Sequence, residues 1–354
     1  MICTNEKYKK KDSCNTRELS SLRPLNVVQS GYVQFGEFHM ILLCSGEETN
    51  TNFAYYSGLG MKLYDHSFLL MGKKKILIVS EMNEKLAKST FKGKIIVYKD
   101  LKKTLKKLIG GKKIGIDGSN LNVRMYNFLK KICKPKDVSK ELLWIRTEKN
   151  KKEISKLRKA VMYTKKIINS VNLKKCKTEN DVARELLRKT AEMGLEIAFK
   201  PIVATGKNTS FPHYTPGNVK LKNIVLIDYG VKYEGYCGDI TRCFILKKGS
   251  WEKDYKLIKK IQKEIIDKIK KVKNSGELAG FVDELYKKYK LPKQLHSLGH
   301  GIGLDVHELP QFSKKSKDKL KNTVFTVEPG IYRKGWGVRV EDCVFFNGKK
   351  TVVL

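Results

Sequence analysis

Four carboxylates stand where a folded chain can least accommodate them. Asp228 ends the apolar run IVLIDYG (224–230), Asp239 follows in YEGYCGDITRC, Glu328 closes FTVE and Glu341 closes VRVE. Each lies among the β-branched and aromatic residues that fill buried strands. A buried carboxylate is costly unless it pairs, accepts hydrogen bonds or binds a cation. Taken singly, each acid reads equally well as a separate hydrogen-bonded carboxylate. Taken together, with HSLGHGIGLDVHE (296–308) between the two pairs, they would repel unless positive charge lay among them, and two divalent cations would supply it.

The same region gathers the scarcest residue type. Of only six histidines, four fall in the C-terminal half: His213 in SFPHYTPG, and His296, His300 and His307 in HSLGHGIGLDVHE. A lone histidine is more often structural than functional, but scarce types collected with glycines reverse that reading.

Charge is less informative than its size suggests. There are 73 Lys+Arg against 36 Asp+Glu, a net charge of +37, which raises nucleic acid or an anionic membrane as partner. Ten of the basic residues are arginine and 63 are lysine, dispersed in doublets and triplets. Arginine reads phosphates and guanines through a bidentate fork, whereas lysine is a flexible point charge. The excess therefore reads as a solvated surface, with weak nonspecific polyanion binding as the partner it allows. No apolar run approaches the roughly 20 residues of a membrane span. The start MICTNEKYKKKDSC lacks a signal-peptide core, and eight cysteines without a CxxC pair read as reduced thiols. The expectation is a cytoplasmic protein with no membrane partner.

The length predicts two domains. Residues 1–25 read as a basic, loosely ordered extension. Residues 26–146 alternate short strands (40–46, 66–71, 75–80, 94–100, 112–118) with helices (84–91, 101–109, 119–132), a small α/β domain. From 147 to 354 comes a helix over 151–172, then one capped by Thr178 and ended by Gly194. Strands follow at 224–230 and 236–246, helices at 251–273 and 277–290, and strands near 295–307, 322–331 and 337–346. This repeated order of two helices then strands points to an internal duplication, without sequence identity between the halves. The fold class is α/β (α+β).

These residues resemble a known family. Asp228, Asp239, His300, Glu328 and Glu341 stand in the order and local context of the five metal ligands of the pita-bread (creatinase-like) metallopeptidases. HSLGHGIGLDVHE is similar to the form found in Xaa-Pro aminopeptidases and Xaa-Pro dipeptidases (prolidases), as are VLIDYGVKYEGYCGDITR, FTVEPGIY and GVRVED. RTEKNKKEISKLRKA resembles the start of the catalytic domain and NTNFAYYSGL the creatinase-like N-terminal domain, so the likeness spans residues 35–354. It implies a small creatinase-like N-terminal α/β domain followed by a pita-bread catalytic domain with pseudo-twofold αα-β repeats. It also implies two divalent metal ions per subunit. Asp228 would chelate one, Asp239 and Glu341 would bridge both, and His300 and Glu328 would complete the other. Oxygen ligands with one imidazole suit Mn²⁺ or Co²⁺, with Fe²⁺ or Zn²⁺ also compatible.

The implied reaction is hydrolysis of the Xaa-Pro bond, in dipeptides or at the N-terminus of longer peptides, by a hydroxide bridging the metals. Glu328 would accept the water's proton, His307 would hydrogen-bond the carbonyl oxygen, and His213 would lie beside the peptide nitrogen. His296 would be a second proton-handling or proline-pocket residue, with Tyr332 and Arg339 in a supporting network. Family analogy implies a homodimer acting on peptides with proline second. Methionine aminopeptidases share the five ligands but not the GLDVHE form. A non-catalytic pita-bread binding protein is the reading from another class, and binding-only relatives generally lose several of the five ligands.

Overall fold

Short runs rich in Ile, Leu and Val bury their side chains by pairing edge to edge. In the computed structural model, which describes residues 39–46, 50–61 and 64–354, the runs expected as strands in the first region do so. They are β1 (Ile41–Ser45), β2 (Ser67–Met71), β3 (Ile76–Val79), β4 (Lys94–Val97) and β5 (Lys113–Ile116). With β6 (Lys134–Asp137) they form a mixed sheet ordered β4-β3-β2-β1-β5-β6. The polar sequence KPKD hides β6 from sequence reading; its proline is tolerated because β6 is an edge strand. The expected basic extension over 1–25 lies outside the described residues.

The helices of this part of the chain are α1 (Thr51–Ser57), α2 (Glu84–Thr90), α3 (Leu101–Ile109), α4 (Val123–Lys130) and α5 (Ser139–Thr147). Helix α3 has the expected bounds because Asp100 caps it, accepting from Lys103 N. The helix expected over 119–132 is shorter. Residues 118–120 form a 3-10 turn, and Asn122 starts α4 afresh as its N-cap. By packing, the described chain divides into two units, 39–46 with 64–138 and 50–61 with 139–354.

In the second unit, α6 (Lys151–Ser170) and α7 (Glu179–Glu192) each open with a capping box, Asn150 with Glu153 and Thr178 with Asp181. Then come β7 (Glu196–Ile197), β8 (Ile202–Thr205), β9 (Ile224–Tyr229), β10 (Val231–Tyr233), β11 (Tyr236–Cys237) and β12 (Ile240–Ile245). The pattern repeats with α8 (Ser250–Lys268) and α9 (Ser275–Lys288). They precede β13 (His300–Gly301), β14 (Glu308–Gln311), β15 (Thr323–Val327), β16 (Gly330–Arg333), β17 (Trp336–Arg339), β18 (Asp342–Phe346) and β19 (Thr351–Val353). The sheets are β12-β9-β8, β11-β10-β7, β14-β13-β15-β18-β19 and β16-β17. The strand expected over 295–307 shrinks to β13, because the glycines and polar residues around it offer few side chains to a sheet face.

Strand periodicity places the first acid. β9 is buried on both faces: Ile224 and Leu226 join one core cluster, while Val225, Ile227 and Tyr229 join another. Asp228 continues the series 224–226, on the first of those faces. The two halves then use one device twice. Asp228 lies opposite Thr241 across β9 and β12, with Asp239 just before β12. Val327 lies opposite Asp342 across β15 and β18, with Glu328 and Glu341 immediately beyond the paired residues.

Candidate metal centre

These two strand ends bring the acids to His300. One ligand atom from each of Asp239, His300 and Glu341 lies within 4.8 Å of the others. His300 Nε2 is 3.6 Å from Asp239 Oδ2 and 3.7 Å from Glu328 Oε1. Asp239 and Glu341 are only 4% and 2% exposed. Glu341 Oε2 accepts from Thr241 Oγ1 at 2.7 Å, and Asp228 Oδ2 accepts from Arg339 Nη2 at 2.7 Å. Asp228 Oδ1 is buried without a hydrogen-bond partner among the described residues.

Glycine lets β13 approach its neighbours this closely. A Cβ on Gly299 would sit 2.1 Å from the Thr326 carbonyl oxygen, and one on Gly301 would sit 1.9 Å from that of Leu309. Thr326 Oγ1 also accepts from His300 N at 3.1 Å, fixing the backbone that carries the imidazole.

The pocket holds less positive charge than its carboxyls call for. Burial, then the charges of Glu341, Asp228 and Glu328, pushes the Asp239 carboxyl far up. Burial, then Glu341, raises Glu328; burial, then Asp228, lifts Glu341 to about 8. Burial opposes the Arg339 charge, but Tyr332, Asp228, Glu328 and Glu341 outweigh it, so Arg339 stays a cation. One guanidinium faces four carboxyls. His300 is held down to about 4, by burial and then His307. Its Nδ1–H donates to the Gly301 carbonyl at 3.1 Å, leaving the Nε2 lone pair toward the acids. An unpartnered carboxylate oxygen, a neutral imidazole and excess negative charge together fit divalent cations.

A hydrogen-bonded chain borders these acids and His300. Arg339 Nη1 donates to Tyr332 Oη at 2.9 Å and to the Pro212 carbonyl at 3.2 Å, while its Nε donates to Thr241 Oγ1 at 3.1 Å. Tyr332 Oη donates to His296 Nε2 at 2.8 Å, since His296 Nδ1–H is directed to the Ser297 carbonyl. His296 Nδ1 is also 3.6 Å from Glu328 Oε2. Burial, then Arg339, takes His296 down to about 4, and burial raises Tyr332 to about 12. The exposed His307 ring meets His300 edge-on, with centroids 4.3 Å apart. His213 is also exposed, on the loop after Pro212, close enough to influence both His296 and His307.

Sequence reasoning missed Thr241, which donates to Glu341, and Thr326, which accepts from His300 N, although a buried hydroxyl in a largely apolar strand is a usable signal. It also missed a second buried charge cluster. Glu308 pairs with Arg146 Nη2 and with Lys149 Nζ at 2.8 Å, all three nearly inaccessible. Arg146 further holds Asp305 at 2.7 Å and Asn52 at 2.8 Å, and Thr51 Oγ1 donates to Asp305 at 2.7 Å. Burial opposes ionisation of Glu308, but Lys149 and Arg146 win and keep its carboxyl below the ordinary value.

Acids, imidazole and missing positive charge define a metal-dependent enzyme on a two-part α/β scaffold. The sequence matches metallopeptidase family M24 over residues 155–347 and the creatinase/prolidase N-terminal domain over residues 37–147. The chain belongs to metallopeptidase family M24, whose members use divalent metal ions, with a creatinase-type N-terminal domain ahead of the pita-bread domain. It is 39% identical to an uncharacterized peptidase of Methanocaldococcus jannaschii, over 64% of this chain and 69% of that one. An Xaa-Pro dipeptidase of Pyrococcus furiosus is 30% identical over 84% of this chain and 90% of its own. The crystal structure of an X-Pro aminopeptidase from Thermotoga maritima superposes with a TM-score of 0.76 at 26% identity, covering 89% of this chain and 94% of that one. Among the described residues, no helix is long and apolar enough to cross a membrane.

Proposed function

We propose that this protein is a metallo-exopeptidase that hydrolyses the Xaa-Pro bond, in dipeptides or at the N-terminus of longer peptides. The observation that carries the reading is the buried excess of four carboxyls around His300, in a chain whose relatives include an Xaa-Pro dipeptidase and an X-Pro aminopeptidase. Asp228, Asp239, His300, Glu328 and Glu341 would hold two ions, Mn²⁺ or Co²⁺ first, with Fe²⁺ or Zn²⁺ also compatible. When bound, such ions supply Lewis acidity at the scissile carbonyl and lower the pKa of water.

The chain's own residues do the rest. Glu328, within 3.7 Å of both His300 and His296, takes up the water's proton. Arg339 and Tyr332 hold His296 neutral and correctly turned for proton handling or for contact with the proline ring. His307, exposed beside His300, donates to the carbonyl oxygen as negative charge develops there. His213 meets the peptide nitrogen, which in an Xaa-Pro bond carries no hydrogen and must be protonated to leave. The reading extends to a cytoplasmic homodimer whose dispersed lysines bind polyanions weakly and salt-sensitively. We place the functional domain boundary at 146/147, one residue short of the end of the creatinase/prolidase match at 147, although packing draws 50–61 and 139–147 into the catalytic unit.

The test is hydrolysis by the Mn²⁺- or Co²⁺-loaded protein of an Xaa-Pro dipeptide, an Xaa-Pro-Yaa tripeptide and a Met-Ala peptide. Cleavage of a proline peptide is expected. Cleavage of Met-Ala alone would make the protein a methionine aminopeptidase, and inertness toward all three with metal bound would make it a binding protein.

A further inference from the structure

Glu179 is a buried acid that the reaction above does not use. It occupies the first position of α7 and is 0% exposed, and no lysine or arginine pairs with it among the described residues. Four donors satisfy it instead. Oε1 accepts from Thr205 N at 2.8 Å and Asn208 Nδ2 at 2.9 Å; Oε2 accepts from Tyr214 Oη at 3.0 Å and Gly217 N at 3.1 Å. That is about the full accepting capacity of a carboxylate.

The donors fall on both sides of His213. Thr205 and Asn208 precede it, and Tyr214 and Gly217 follow it. Asn208 Nδ2 also donates to Tyr214 Oη at 2.8 Å, closing the loop across its base. On the other side, Gly337 N donates to Thr209 Oγ1 at 2.7 Å and Arg339 Nη1 donates to the Pro212 carbonyl at 3.2 Å. His213 itself is exposed, so the backbone on either side of it sets where its imidazole stands.

We propose that Glu179 is the positioning residue for His213: its carboxylate gathers four donors from both arms of the 205–217 loop and so fixes the exposed imidazole relative to the site. This rests on the role given to His213 under Proposed function. Only a group that accepts at both oxygens suits four converging donors. An amide would set its own N–H₂ against donors and leave the Thr205 or Gly217 amide without an acceptor.

The experiment is a double-mutant cycle on the metal-loaded protein with an Xaa-Pro-Yaa peptide. Glu179→Gln should lower kcat about tenfold to hundredfold, with bound metal per chain unchanged. In a His213→Ala background the same change should cost no further activity. Tyr214→Phe, which removes one donor and carries little folding risk, should show a smaller loss that likewise disappears in that background. With only six histidines, the His213 ring signal can be assigned in an NMR spectrum by its loss in His213→Ala. That signal should shift in Glu179→Gln and in Tyr214→Phe while those of His296 and His300 stay. Additive losses, or an unmoved His213 signal, would overturn the positioning role alone. Full activity in His213→Ala would instead overturn the role assigned to His213 itself.

Discussion

The catalytic unit holds two groups of charge that differ in balance, both largely buried except for Asp305, whose side chain is 44% exposed. One holds Asp228, Asp239, Glu328 and Glu341 against Arg339. The other holds Glu308 and Asp305 against Arg146 and Lys149. In the first, Asp239, Glu328 and Glu341 are pushed up; in the second, Glu308 is held down. Burial of acids is therefore not what marks a metal centre. The mark is an unpaired sign of charge, and the second group shows the same fold neutralising itself when no ion is needed.

That contrast can be broken experimentally. The largest expected effect is on Asp239→Asn, which should reduce peptidase activity to the limit of detection and lower the metal content measured by atomic absorption. Intact activity would remove Asp239 from the metal centre. Next comes Glu308→Gln, which strands Lys149 without an acid, leaves Arg146 only the part-exposed Asp305, and should lose about 3–5 kcal/mol in urea unfolding while metal stoichiometry is kept. An unchanged midpoint would mean that the second cluster is not internally paired. Thr241→Val, which deletes a donor to Glu341, should weaken metal binding about 10–100-fold by calorimetric titration, and wild-type affinity would count against its supporting role.

The smallest effect is a pair of pH slopes of opposite origin. In chelated protein, Glu341 has a folded value near 8 against an ordinary 4.5, so the folded state binds the extra proton between those limits. Stability should fall as pH rises through that window, and saturating metal should flatten the slope. Glu308 lies below 4.5 in the fold, so its contribution is complete above that value and is lost as the solution is acidified further. Melting temperatures across pH, with and without chelator, separate the two; a chelated protein with no slope between pH 5 and 8 would contradict the charge imbalance.

Much of this was legible in the sequence because it is periodic or local. The bounds of α3 and the start of α7 follow from caps at Asp100 and Thr178, and Asp228 declares itself by interrupting an apolar strand. What escaped depends on distant partners. Glu308 stands next to His307 with nothing local to mark it as structural, because its partners lie 159 and 162 residues away. Glu179 reads as a first-turn acid favoured by the helix dipole, and its role appears only when residues 205–217 fold back onto it. The short α1 gives no helical stripe long enough to read, and β6 lacks apolar residues altogether.

Helix α1 has a consequence for how the chain is made. Its Thr51 bonds Asp305, 254 residues later, and its Asn52 receives Arg146, so the catalytic unit recruits a segment synthesised well before most of the unit. At the usual 5–20 residues per second, α1 leaves the ribosome about 10–50 s before its last partner exists. Tyr56, buried in the finished fold, likewise waits for the Leu142 carbonyl, made 86 residues later. Translation speed and chaperone capture over that first stretch will therefore govern the yield of active protein more strongly than the same interventions near the C-terminus.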